Sequence, residues 1–258
     1  MVGIQKRASS IMKINIFKTL AAATTLAVSG LMAAEAQAFT FTKTTAENLG
    51  SQNQELLKFF QDNVNGERQA LADSELKPLD ATGLLFDTSE SVEVYFIDEG
   101  AGYKNQVLFS ADGKAPEMII ENASLQGSGG NLKSGDGFIL DNFEGLPSLA
   151  QFEFLIASNG YNKSNPHIFG ADPTKNPDGI NHITAFGYTD QATGDYYTFI
   201  GFEDLWKGGD RDFNDVVIVA KGFQNPDAPV DVPEPISGLA VLAVGAVAAG
   251  GALKKKTA

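Results

Sequence analysis

The chain reads as mainly β: an antiparallel, jelly-roll-like β-sandwich with an N-terminal helical segment and a C-terminal transmembrane helix. Three observations predict this. From Leu84 onward, apolar and polar residues alternate in short runs, the period of strands with one buried face. The runs are separated by turn-forming groups such as Asp112-Gly113 and Thr193-Gly194-Asp195. Near its end the chain carries an uncharged apolar stretch, 236–253, reaching the roughly 18 residues that a membrane-crossing helix needs.

At the N-terminus, Lys13 and Lys18 precede an apolar stretch from Leu20 to Met32, followed by Ala36-Gln37-Ala38. A basic start, an apolar middle and small residues two apart form the pattern of a cleaved secretory leader. Residues 1–38 are therefore read as a signal peptide, cut between Ala38 and Phe39 by signal peptidase. Met12 suits the initiator better than Met1, because Lys13 then opens a leader of ordinary length.

Residues 39–80 are read as a helical segment. Leu56, Leu57, Phe60 and Val64 fall on one stripe of a helix running from Thr45 to about Asn65, where Asn65-Gly66 breaks the pattern. The sandwich is placed at 81–223. Its strands are expected at Ser91–Ile97, Gln106–Ser110, Gln151–Ile156, His182–Tyr188, Tyr196–Phe202 and Asp215–Ala220. A Pro- and Asp-rich spacer covers 224–231, and 232–258 forms the tail with its membrane helix at 236–253.

Charge narrows the functional classes. The chain has 19 basic and 32 acidic residues. Setting aside Lys6, Arg7, Lys13, Lys18 and the three terminal lysines, with Glu35 and Glu234, leaves twelve basic against thirty acidic, a net charge near −18 between leader and tail. Such a surface repels phosphate backbones and attracts divalent cations, so nucleic acid is excluded as a partner. There is no cysteine, which removes thiol catalysis, Cys-ligated zinc and disulfide cross-links.

The richest chemistry lies between Gly201 and Val217. Glu203, Asp204, Asp210, Asp212, Asn214 and Asp215 place six oxygen-bearing side chains in one short segment. Asp210, Asp212 and Asn214 recur at every second position, so in a curved loop they can converge. Hard cations such as Ca²⁺ take six to eight oxygen ligands of this kind. The opening D-x-D-x-N matches an EF-hand loop, but Asp215 stands where that motif needs its turn glycine and Lys221 where it needs its bidentate Glu, so this is not an EF-hand. Two readings stand side by side: a Ca²⁺ site formed by those six residues, or an Asp-rich solvated turn in which Gly208-Gly209 supplies positive φ. Phe202, Trp206 and Phe213 are expected to pack as core. Asp178 and His182 are expected to approach the loop, with Asn176 and Asn181 as carbonyl donors.

Two resemblances follow from these motifs. Pro233-Glu234-Pro235, the apolar span and the closing Lys254-Lys255-Lys256 resemble the PEP-CTERM sorting signal of bacterial surface proteins. That resemblance implies recognition by exosortase, a membrane protease, and export through the inner membrane. A transient membrane anchor would then be followed by residence at the cell surface or outside it. Phe202-Glu203-Asp204-Leu205 with Gly208-Gly209-Asp210-Arg211-Asp212-Phe213-Asn214-Asp215-Val216-Val217 resembles the signature of the DUF4114 domain, with weaker blocks extending the similarity over 131–223. That family implies a β-rich exported domain and no defined chemistry.

The residues favour a non-catalytic protein. No G-x-S-x-G nucleophile turn and no phosphate-cradling loop is present, since Gly127-Ser128-Gly129-Gly130 lacks the strand-turn-helix setting. The expectation is an exported surface or extracellular-matrix protein with a Ca²⁺-stabilised β-domain. It would contact polysaccharide through aromatics such as Tyr161, Tyr196 and Tyr197. A purely adhesive component and a polysaccharide hydrolase using paired carboxylates are the alternatives.

Overall fold

A computed structural model describes residues 39–64 and 76–227. The leader with Ala36 and Ala38, the sorting motif Pro233, Glu234 and Pro235, and the span 236–253 lie outside the described residues. Among those described, no helix is long and apolar enough to cross a membrane.

Two antiparallel sheets form the molecule. Strands β1 (Thr40–Ala46), β2 (Lys77–Leu79), β4 (Val92–Asp98), β7 (Gly137–Glu144), β10 (Ile183–Thr189), β11 (Tyr196–Phe202) and β12 (Val216–Lys221) make the wider one, in the order β1-β7-β4-β12-β11-β10-β2. Strands β3 (Leu84–Asp87), β8 (Leu149–Ala157), β5 (Gln106–Ala111) and β6 (Glu117–Ile120) follow one another in the second, and β9 (Ile168–Gly170) pairs with β8. The six strands expected from alternation are all present, with ends shifted by at most a couple of residues. The turn chemistry works as expected: Asp112 and Gly113, both at positive φ (53° and 71°), link β5 to β6. Left-handed pairs of this kind match the twist of a tight hairpin.

Between the sheets lies a phenylalanine-rich core. Phe109 stacks on Phe152 with ring centroids 4.8 Å apart, and Phe86 meets Phe143 edge-on at 4.8 Å. Phe39, the residue after the expected cleavage point, is buried here against Phe41 and Phe109.

Segment 39–80 departs from the helical expectation. Thr40 to Ala46 form β1 and pair with β7, and the helix expected from Thr45 is two short ones, α1 (Leu49–Gln52) and α2 (Gln54–Asp62). The reason is local. The Thr-rich run favours a pleated surface, and Asn48 and Asn53 each cap a helix, accepting hydrogen bonds from Gly50 N (2.9 Å) and Leu56 N (3.0 Å). At the other end Lys77–Leu79 pair with β10 as an edge strand, where Pro78 needs no second hydrogen-bonding neighbour. The segment thus frames the wide sheet, with β1 at one edge and β2 at the other.

The two helices cover the outer face of the wide sheet. Leu56, Leu57 and Phe60 of α2 pack with Tyr95, Ile97, Phe199, Val217 and Val219 in a second core. Phe60 stacks on Phe199 at 5.9 Å. Covered on both faces, β12 carries the unbroken apolar run Val216-Val217-Ile218-Val219-Ala220 where a half-exposed strand would alternate.

Candidate functional site

The acidic loop 203–215 joins β11 to β12, neighbours inside the wide sheet. Their ladder ends on the pair Phe202–Val216, and Asp215 N donates to Phe202 O at 3.1 Å to close the loop's neck. Within it Lys207, Gly208, Gly209, Arg211 and Phe213 all hold positive φ, at 68°, 76°, 41°, 62° and 56°. Three of these are side-chain-bearing residues in a conformation that costs them energy, and the surroundings must hold them there. Alternating left-handed residues with Asp210, Asp212 and Asn214 coils the segment and turns its carboxylates inward. Gly209 permits this: a Cβ there would collide with the Glu203 carboxylate.

Glu203 is the centre. It is fully buried, and its oxygens accept hydrogen bonds from Leu205 N (3.2 Å) and Arg211 N (3.0 Å). Ligand oxygens of Glu203, Asp210 and Asp212 lie within 4.8 Å of one another, and so do those of Glu203, Asp204 and Asp215. The two groups share Glu203. Asp204 and Asp212 are buried, Asp215 is half-buried and Asp210 exposed. Asp204 N donates to Asp215 Oδ2 at 2.7 Å, and Asn214 N to Asp212 Oδ1 at 3.2 Å. Asn214 is buried beside them, its carbonyl accepting from Gly100 N at 3.0 Å.

Crowding acids together in a dry place raises their proton affinity. Burial, reinforced by the negative charge of Asp215, pushes Glu203 up to about 8. Burial and the same neighbour push Asp204 up to about 7. Asp215 is raised as well, chiefly by burial. Near neutral pH such a cluster favours compensation of its charge, by protons or by a cation.

Asp178 and His182 reach the loop from behind, as the sequence suggested, but as buttresses. The His182 ring is fully buried and stacks on Phe169 at 3.9 Å. One ring nitrogen lies 2.8 Å from Glu203 O and the other 2.9 Å from Asp178 Oδ2. Asp178 Oδ2 also accepts from Lys207 N at 2.8 Å, fixing the loop's first left-handed residue. Burial opposes ionisation of Asp178, yet the Lys207 N–H and the His182 ring hold its carboxyl below the ordinary range. Asn176 and Asn181 do not serve the cluster as carbonyl donors. Asn176 Oδ1 accepts from Gly170 N at 2.7 Å and Asn181 Oδ1 from Ile183 N at 2.7 Å.

Two further expectations change. Phe202 is core and Phe213 half-buried, but Trp206 is 46 % exposed, lying against His167 at 4.8 Å. Of the three tyrosines considered for sugar stacking, Tyr161 is exposed, Tyr196 half-buried and Tyr197 buried against the helices.

Asn105 escaped the sequence reading. It is fully buried, donates its amide to Asp204 Oδ2 at 2.6 Å, and accepts from Asn159 N at 2.8 Å and, on its backbone carbonyl, from Ala123 N at 2.8 Å. No local pattern marks this role, because its partners are distant in sequence.

Residues 146–222 match the family described as Domain of unknown function (DUF4114). The matched stretch takes in β8 to β12 and the whole acidic loop, and begins at 146 where the resemblance was expected from 131. No curated protein and no solved structure matches the chain.

Proposed function

We propose that the chain is an exported, non-catalytic surface or extracellular-matrix protein whose β-domain is stabilised by Ca²⁺ and contacts polysaccharide. The observation that carries the metal reading is Glu203: a buried carboxylate shared by two groups of acids whose oxygens lie within 4.8 Å of one another. All-oxygen donors of varied depth are the chemistry of a hard, flexible-coordination cation. Glu203, Asp204, Asp210, Asp212, Asn214 and Asp215 would hold it. The ion would supply the positive charge that the loop otherwise draws from protons, and would clamp the ends of β11 and β12.

Export rests on the leader pattern and on the Pro-Glu-Pro, apolar and basic tail. In this reading signal peptidase removes 1–38 and an exosortase-type protease acts at the tail after transient anchoring in the inner membrane. A non-catalytic role is favoured because the acids crowd into one loop, whereas glycosidase carboxylates face each other across a substrate cleft. Calorimetric titration of Ca²⁺ into the full chain tests the metal. Saturable binding that Asp212→Ala abolishes supports it, and no heat above dilution removes it. Turnover of a polysaccharide, lost on a single carboxylate substitution, would favour the hydrolase alternative instead.

A further inference from the structure

A cleft of about 310 Å³ opens between β1, β6, β7 and the loops around them, apart from the acidic loop. Its chemistry comes from Lys43, Glu121, Asn122, Asn131, Phe138 and Tyr161. The volume falls at the small end of ligand clefts, which run from about 300 to 1,000 Å³.

The cleft is built by a tied loop. Leu132 N donates to Ser124 O at 3.3 Å and Gly130 N to Leu125 O at 3.0 Å, and Gly130 has no room for a Cβ against the Ser124 carbonyl. These ties bring Asn122 and Asn131 to the same opening. Tyr161 N donates to Lys104 O at 3.1 Å, and the Lys104 ammonium sits 5.6 Å from the centre of the Tyr161 ring. Yet Tyr161 remains 49 % exposed.

Three observations define what would fit. Asn122 Oδ1 is buried and accepts no hydrogen bond from any described group. An orphaned acceptor of this kind is costly until a donor arrives. Carboxamides and a carboxylate around an exposed phenol ring suit a ligand with many hydroxyls and one apolar face, because hydroxyls both donate and accept. The cation is already engaged: Lys43 Nζ donates to Met118 O (3.2 Å) and Ile119 O (3.1 Å) and lies 5.8 Å over Phe138. With Glu121 beside it and a strongly acidic chain around it, the cleft does not select an anionic ligand.

We propose that this cleft binds uncharged sugar residues of a polysaccharide. Tyr161 is the stacking platform, the Asn122 side chain turns so that its Oδ1 accepts from a ligand hydroxyl, and the Asn131 amide reads a second. The proposal rests on the polysaccharide-contacting reading above and gives it a site.

The test uses the full chain, purified in detergent with excess Ca²⁺, on an array of neutral gluco-, manno-, galacto- and xylo-oligosaccharides alongside uronic-acid oligomers. The strongest neutral binder is then titrated calorimetrically. Expected is retention of neutral oligosaccharides, with Tyr161→Ala and Asn131→Ala each weakening affinity about tenfold, the loss of a contact worth some 1.4 kcal/mol. Tyr103→Ala, a change to an exposed ring outside the cleft, leaves it unaltered. Asn122→Ala should weaken binding without lowering Tm, since it deletes an unsatisfied acceptor. Neutral binding indifferent to all three cleft substitutions overturns the cleft and leaves the polysaccharide-contacting reading standing. Retention of uronic-acid oligomers alone overturns the neutral-sugar cleft and leaves the polysaccharide-contacting reading standing, whereas retention of no glycan overturns both.

Discussion

Asn105 and Asp204 meet through a 2.6 Å hydrogen bond between side chains 99 residues apart. The amide belongs to the loop before β5 and the carboxylate to the loop after β11, so this contact ties the acidic loop to the second sheet. Asp204 N in turn donates to Asp215 Oδ2. Asn105 therefore braces the neck of the loop as well as one of its acids.

Replacing Asn105 with Ala should destabilise the domain by about 2 kcal/mol, because Asp204 loses its donor in a buried setting and Asn159 N loses an acceptor. Urea unfolding of the full chain should show a lower midpoint at unchanged slope. A midpoint equal to the wild type would make this contact incidental.

Chelation should lower the melting temperature of the full chain. With free Ca²⁺ about a hundredfold above its dissociation constant, the linkage amounts to about 2.7 kcal/mol. Asp212→Ala should melt at the same temperature with and without chelator. Differential scanning calorimetry decides the matter, and identical wild-type melts in both buffers remove the ion from the account.

The raised carboxyls predict an unusual pH dependence in chelator. Glu203 and Asp204 keep their protons to about 8 and about 7 in the folded chain, while the unfolded chain releases them near the ordinary values of 4.5 and 3.8. Between these limits the folded state binds more protons, so stability falls as pH rises through that window and levels off above about 8. Excess Ca²⁺ should displace the protons and remove the decline. Melting temperatures measured from pH 5 to 8.5 in both buffers provide the check, and a rise with pH in chelator contradicts the cluster's electrostatics.

The helical layer makes its own prediction. Phe60 is fully buried between α2 and the wide sheet, where it touches Phe59, Tyr188, Tyr197 and Phe199. Phe60→Ala should cost about 3–5 kcal/mol through lost burial and the cavity left behind. A loss below about 1 kcal/mol would mean that the helices are dispensable to the sheet.

How much of this was legible depends on whether the cause was local. The strand at Gln151–Ile156 declared itself because one face of its alternation was apolar, and Asp112-Gly113 marked a hairpin through the backbone angles it tolerates. Thr40 to Ala46 were misassigned because Thr45 sits next to a genuine helical stripe and only pairing with β7 decides for a strand. The six oxygen-bearing residues of the acidic loop could be found by eye. Their division into two groups around Glu203 could not, since it depends on left-handed turns at Arg211 and Phe213, residues that seldom adopt them. Trp206 looked like core for its size, yet the coil that turns the acids inward leaves it outside.

The unbroken Val216–Ala220 run has a consequence for the chain before it is folded. A low-charge segment rich in β-branched residues readily pairs with copies of itself once uncovered. In the finished molecule it is shielded by β4 and β11 alongside and by α2 and the second sheet above and below. Without cysteines to cross-link it, the chain depends on assembling those four covers quickly, so slow assembly at this strand carries the main risk of aggregation.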